Sequence, residues 1–299
     1  MKFDRTSLDE QLMPLRAKIR YQIYNVRGIL GYSGLFGRLN PPILLVGSPN
    51  SGTQILGRAI SLHPAIENRS EARLLWDKDF HTKMNDTLKT AVDAGRADLI
   101  RLRGNFCYYQ WLSGKPVVLN RHPENSLRIH FMKKIFPSAK IIHIVRDGRA
   151  SVCSNYRSAK RKKDRRSNPF GSYLRPPGWR DYLDRPVLEQ LAYMWNEAVL
   201  YAAIEGRKYG ADYMEVAYEE LPGNAAGIVR AIWDWIGLKF TDDLLRGLPK
   251  FENRNYKWKT ELTEDEIAAV ESIAGDGLRY FGYLDSAHDG HRSPNRDAP

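Results

Sequence analysis

The sequence predicts an α/β fold: a central parallel sheet flanked by helices. Two observations carry that expectation. Short apolar runs at Ile43–Val46, Val117–Leu119 and Lys140–Val145 lack the polar alternation of a half-solvated strand, so they read as strands covered on both faces. Each run leads through turn formers into apolar residues at helical spacing, and strands that alternate with helices build a parallel sheet.

Residues 1–40 combine a basic amphipathic helix with a Gly-rich connection, "RGILGYSGLFGRLNPP", and are expected to form an arm packed on the core; contact with a membrane surface is the alternative. The first strand, Ile43–Val46, is followed by a helix over Thr53–Leu62, with Ile55, Leu56, Ala59 and Ile60 on one face. "HPAIENRSEARLLW" predicts a turn and another helix start. The strand at Val117–Leu119 is followed by a helix over Glu124–Ile135, and Lys140–Val145 ends at "RDGRASVCSNYR", where a turn opens a helix. Arg157–Pro177 carries dense positive charge and then turn formers, which predicts an exposed loop or insertion. A long helix over Val187–Lys208, ended near Gly210, precedes a strand at Tyr213–Val216 and a helix over Ala225–Ile236. Thr263 caps a last helix reaching Ile273, with Glu264 to Glu266 in its first turn. The polar stretch after Tyr283 predicts disorder.

Composition narrows the function classes. A chain of 299 residues holds one large domain or two small ones, and no internal repeat or clear boundary divides it. The net charge of +11 favours anionic partners: nucleotides, acidic glycans, nucleic acid or acidic lipid. Two cysteines, Cys107 and Cys153, argue against a disulfide framework and for a reducing, cytoplasmic setting. No run of about 18 apolar residues predicts a membrane span, and the N-terminus lacks the apolar core of a secretory signal. No His, Cys and Asp cluster has metal-ligand spacing, so no metal is expected.

The chemistry is concentrated in "ILLVGSPNSGT". Gly47 and Gly52 have the spacing of a phosphate-binding loop, which makes the fold P-loop nucleotide-binding-like, yet Thr53 stands where such loops place lysine. Backbone N–H groups and the positive end of the following helix still suit a phosphate-sized anion. Without the lysine that reaches β- and γ-phosphates, a nucleotide with a 5′-phosphate but no triphosphate chain fits better. A second motif places Arg146 at a strand end and Ser154 eight residues later, about two turns into a helix. The two could clamp a second phosphate through charge-assisted bonds.

Together these motifs resemble the sulfotransferase superfamily, whose co-substrate is 3′-phosphoadenosine 5′-phosphosulfate (PAPS). The loop is similar to its 5′-phosphosulfate loop, and Arg146 with Ser154 to its 3′-phosphate motif. The likeness covers most of the chain and is nearest in motifs to tyrosylprotein sulfotransferase-like and bacterial members. It implies a sulfotransferase-like domain over 41–285, after the arm of 1–40 and before a disordered tail of 286–299. "SGTQILGRAISLHPAIENRSEARLLW" resembles the stretch that leads to a catalytic glutamate, which implies Glu71 as base. "VVLNRHPENS" resembles the stretch that carries a catalytic lysine, here Arg121. The cofactor contacts implied are Pro49, Asn50, Ser51, Gly52, Thr53 and Gln54 from the loop, Arg146 and Ser154, Tyr218 from a "YEEL" stretch, and Lys257, Trp258 and Lys259 from "YKWK".

The implied reaction moves a sulfuryl group from PAPS to the hydroxyl of a carbohydrate, a small molecule or a tyrosine, leaving adenosine 3′,5′-bisphosphate. Asn50 departs from the pattern, because relatives carry Lys or Arg there; Arg121 is then expected to supply the charge. His122 and His143 are rival bases, His143 being the more structural, and His63 reads as a turn residue. The run Lys160–Arg166 reads as a solvated loop or as a recruiter of an acidic acceptor. Nucleic acid is a less favoured partner, and a homodimer is compatible with the sequence. The competing function is an anion- or polynucleotide-binding protein with a degenerate, catalytically disabled loop. A nucleotide kinase relative is poorer, for want of the lysine.

Overall fold

The structure, a computed structural model, describes residues 5–70, 73–77, 84–161, 169–172 and 174–284. In chain order the elements are α1 (Arg5–Tyr32), β1 (Ile43–Val46), α2 (Thr53–Ile60), β2 (Ile66–Ser70), α3 (Arg73–Trp76), α4 (Arg96–Ser113), β3 (Val117–Arg121), α5 (Ile129–Ile135), β4 (Lys140–Val145), α6 (Gly148–Arg161), α7 (Pro169–Ser172), α8 (Val187–Arg207), β5 (Tyr213–Ala217), α9 (Leu221–Trp235), α10 (Trp258–Glu261), α11 (Glu264–Ile273) and α12 (Gly275–Tyr280).

The five strands form one sheet in the order β2-β3-β1-β4-β5, and every pair is parallel. β1 sits at the centre, with Leu45 level with Arg121 of β3 and Val46 level with His143 of β4. Leu44, Val46, Val118 and Ile141 point to one face and pack with Trp76, Phe106, Phe131 and Met132. Ile43, Leu45, Leu119, Ile142 and Ile144 point to the other, against Leu56, Ala59 and Ile60 of α2 and Ile232 and Trp233 of α9. Covering both faces is what makes the strand sequences continuous apolar runs. Each such side chain contributes roughly 1.5–3 kcal/mol by leaving water.

The expected parallel α/β architecture is present, with instructive differences in detail. Within "HPAIENRSEARLLW" the expected turn and helix are present, the helix as α3, but "IENRS" between them is an additional strand; it is the sheet edge, and only Ile66 of its five residues is buried. The helix expected over Glu124–Ile135 divides into a 3-10 turn at Pro123–Leu127 and α5. Arg157–Pro177 is not simply an exposed loop. α6 continues to Arg161, and Phe170, Leu174 and Arg175 are buried, with the Arg175 guanidinium donating to the carbonyl of Phe170 (3.0 Å). Most of Lys160–Arg166, the whole of the 286–299 tail, and Glu71 lie outside the described residues. Thr263 is the N-cap expected, in a capping box with Glu266.

α1 packs on α4 through glycine. A methyl at Gly31 would lie 2.1 Å from the Gly104 carbonyl oxygen, so the two backbones touch where they cross. Asn105 of α4 donates to the Tyr24 carbonyl at 2.6 Å and locks the crossing. Among the described residues no helix is long and apolar enough to cross a membrane.

Candidate active site

The site forms at the C-terminal edge of β1 and its neighbours, where a parallel sheet opens its loops. The chain leaving β1 is fixed at each step. Gly47 N–H donates to Ser126 Oγ (3.0 Å), and Ser51 N–H closes a turn onto the Ser48 carbonyl (3.1 Å). Buried Pro49 offers its carbonyl to Ser151 Oγ and Asn155 Nδ2 of α6, each at 2.9 Å. Asn50 has φ 63°, left-handed backbone that asparagine tolerates better than most residues. Its Nδ2 donates to Asn155 Oδ1 at 2.7 Å. Gly52, at φ 101°, is the N-cap of α2.

Four donors follow. The N–H groups of Gly52, Thr53, Gln54 and Ile55 have no acceptor among the described residues; the first helical bond is Leu56 N–H to the Gly52 carbonyl. Ser51 is fully buried, and its hydroxyl is likewise without a partner there. Unpaired donors at the positive end of a helix make an anion cradle.

Arg146 follows β4 and reaches back over this loop. It is 7% exposed. Nη1 donates to the Asn50 carbonyl (3.0 Å) and Nε to Asn255 Oδ1 (2.8 Å), while the guanidinium lies 4.5 Å from the Tyr218 ring centroid. Burial draws its pKa down, opposed by Tyr218, Glu219 and Asp147, and a guanidinium so placed stays charged. Ser154 is half-buried in the second turn of α6, as its spacing predicts, and its hydroxyl makes no hydrogen bond among the described residues. The structure shows no direct contact between Arg146 and Ser154. Cys153, next to Ser154, lies within electrostatic reach of Arg146, and burial followed by Glu261 pushes its thiol up to about 12, which leaves it inert.

Arg121 ends β3, level with Leu45 on one side and Ser70 on the other. Its aliphatic stem lies against Gly57, and Nε donates to Asn68 Oδ1 at 3.1 Å. Ser70, the last residue of β2, pairs with Arg121. His122 is buried, with Nδ1 3.1 Å from Glu124 Oε2 and its ring stacked on Trp76. Burial outweighs Glu124 and lowers its pKa to about 4. His143 is fully buried beside the Tyr213 hydroxyl (2.7 Å), also lowered to about 4 by burial. Both imidazoles are neutral and closed off from an acceptor. His63 takes the Ala65 N–H and contacts the Lys239 carbonyl, a turn anchor.

Tyr218 backs both Gly52 and Arg146, and its hydroxyl donates to the Glu252 carbonyl (3.2 Å). From "YKWK", Trp258 is turned inward: it is buried among Ala150, Val152 and Leu191, with Arg149 4.2 Å over its ring. Lys257 and Lys259 flank it, Lys259 exposed. Ser151, Asn155 and Asn255 join the site without having been expected there. Ser151 and Asn155 stand one helical turn apart around Ser154, a spacing that marks a shared face; Asn255 has no local signal. Among the described residues no group of His, Cys, Asp or Glu could hold a metal ion.

A model of the sulfotransferase family matches residues 41–242. Protein-tyrosine sulfotransferase A of Caenorhabditis elegans is 23% identical over 303 residues, which span 90% of this chain and 73% of that protein. Protein-tyrosine sulfotransferase 1 of Danio rerio is 23% identical over 269 residues, 74% of this chain and 68% of that protein. The fold is similar to the crystal structure of a sulfotransferase from Mycobacterium tuberculosis, with TM-score 0.54 and 14% identity over 87% of this chain and 84% of that one.

Proposed function

The chain belongs to the sulfotransferase family, and from that premise we propose that it transfers a sulfuryl group from PAPS to an acceptor hydroxyl. The observation that carries this reading is the pair of anion sites on adjacent strands. One is the lysine-free loop after β1, with four N–H groups that have no acceptor among the described residues; the other is Arg146 after β4, with Ser154 beyond it. The loop residues fit the co-substrate. The buried Ser51 hydroxyl lacks a partner among the described residues, and a side chain at Gly52 would strike Tyr218.

When bound, the co-substrate supplies an activated sulfuryl group. Gly52, Thr53, Gln54 and Ile55 N–H groups and the Ser51 hydroxyl hold its 5′ end, with Pro49 and Asn50 shaping the loop. Arg146 and Ser154 bind the 3′-phosphate by charge-assisted bonds, and Tyr218 keeps the guanidinium in place. Arg121 stabilises charge that develops during transfer. Glu71 takes the acceptor proton, and Lys257 and Lys259 lend positive charge, with Trp258 anchoring the start of α10 between them. A tyrosyl hydroxyl is the first acceptor to try, because the two animal relatives are named for protein tyrosine.

The test is thermal unfolding with adenosine 3′,5′-bisphosphate, AMP or ATP. Filling two separate anion sites should raise the melting temperature markedly more with the bisphosphate. Equal shifts with AMP would overturn the two-site reading. Transfer from labelled PAPS to tyrosine peptides, sugars and small alcohols then tests the reaction.

A further inference from the structure

Helix α1 has two apolar faces, and among the described residues only one of them is packed. Tyr24, Gly28 and Gly31 face α4 and are buried. On the opposite side Leu15, Ile19, Ile23, Val26, Ile29 and Leu30 recur at spacings of three and four, which aligns them along one stripe. They are between 40% and 59% exposed. Tyr32 and Leu35 (64% exposed) continue the apolar surface past the helix end. There Phe36 packs on Trp111, itself 57% exposed, with ring centroids 5.0 Å apart. A helix packed on one side ordinarily turns charged and polar residues outward. A continuous apolar stripe in that position marks an interaction surface.

Charge selects the partner. From Gln11 to Ile66 the sequence contains no Asp or Glu, while Arg16, Lys18, Arg20, Arg27 and Arg38 fall along the exposed helix and the connection after it. The acids of α1, Asp9 and Glu10, are confined to its N-terminal part. A second copy laid on this stripe would set cations against cations, with no carboxylate in the apposed segments to pair them, whereas helices that associate through apolar seams use opposite charges at the flanks. An apolar stripe bordered by cations suits the boundary between acyl chains and anionic headgroups, and exposed Trp111 and Tyr32 are side chains that settle at that depth. We propose that α1 docks the protein on an anionic lipid surface, lying in the interface plane with this stripe inserted. The proposal is independent of the reaction assigned to the site.

The experiment is co-sedimentation of the full chain with vesicles of phosphatidylcholine alone or with about a third phosphatidylserine, the anionic lipid of such leaflets. Binding is expected to the anionic vesicles only, and to fall as salt approaches about 1 M, where screening acts within about 3 Å. Ile19→Glu, Ile23→Glu and Val26→Glu should each reduce the vesicle-bound fraction at least tenfold at an unchanged melting temperature, because these side chains are exposed. Lys18→Gln and Arg20→Gln should each weaken it about fivefold, the worth of one cation near the surface. Equal binding to neutral vesicles, or no binding to either, would overturn the proposal. So would a wild-type dimer in sedimentation velocity that Ile23→Glu converts to monomer, since a second copy would then cover the stripe.

Discussion

A methyl group added at Gly52 probes the cradle directly. Gly52 has φ 101°, and the left-handed region costs an ordinary residue about 1–2 kcal/mol. The new Cβ would also lie 2.6 Å from Tyr218 Cδ2 and 3.0 Å from Cε2, so the ring must withdraw. Withdrawal weakens its contact with Arg146, worth about 0.5–1 kcal/mol, and its hydrogen bond to the Glu252 carbonyl, worth about 1 kcal/mol. Gly52→Ala should therefore lose roughly 3 kcal/mol in urea unfolding, read from the midpoint at constant m-value. In a Tyr218→Ala background the ring is gone and only the backbone cost of about 1–2 kcal/mol remains. The double-mutant cycle should accordingly show a coupling of about 1–2 kcal/mol. Equal costs in the two backgrounds would refute the argument that the ring closes the space over Gly52.

Other outcomes follow from the same geometry. Arg146→Ala should erase the preference for the bisphosphate over AMP in thermal shift; an intact preference would move the 3′-phosphate site elsewhere. Glu71→Gln should keep bisphosphate affinity and lower single-turnover transfer by roughly two orders of magnitude, and an unchanged rate would remove Glu71 as base. Arg121→Ala should cost about 10²–10³ in transfer rate, while Asn50→Ala costs about tenfold, one neutral hydrogen bond; the reverse order would mean that Arg121 is not the compensating cation. His143 is neutral in the fold down to about pH 4, but protonates near pH 6.5 when unfolded, so the unfolded chain binds more protons between those values. Stability is then complete above about pH 6.5 and falls by about 2 kcal/mol by pH 5 on this account. His143→Gln should flatten the stability-against-pH slope by up to about one proton, and an unchanged slope would contradict a neutral buried imidazole.

What could be read from the sequence follows from where each segment sits in the fold. β1, β3 and β4 are covered on both faces, so their apolar runs survive as plain signals. β2 is an edge with one buried side chain, and it reads like a loop. α4 was not anticipated because its packed face includes Arg101, Asn105 and Gln110, which bury themselves by donating to the carbonyls of Leu75, Tyr24 and Asn40. Those polar residues interrupt the helical periodicity that a sequence search looks for. The family was legible, and so was the placement of the loop's glycines, Arg146 and Ser154 at strand ends and early helix turns, because a strand end and the first two turns of its helix lie at fixed spacing. Asn50 looked like a loss of charge; its positive φ supplies a backbone reason for asparagine that composition could not reveal. The bond from Arg146 to Asn255 spans 109 residues, and only the closed fold brings the two together.

The fastening of Pro49 and Asn50 to α6 has a consequence for binding thermodynamics. Ser151 and Asn155 hold the turn through hydrogen bonds of the protein itself. The entropy loss of ordering this loop therefore falls on folding rather than on ligand capture. Association should approach the rate at which the nucleotide meets the cleft, with slow dissociation setting affinity. Removing the Asn155 amide shifts that ordering step into the encounter itself, so capture slows even though no ligand-facing atom has been deleted.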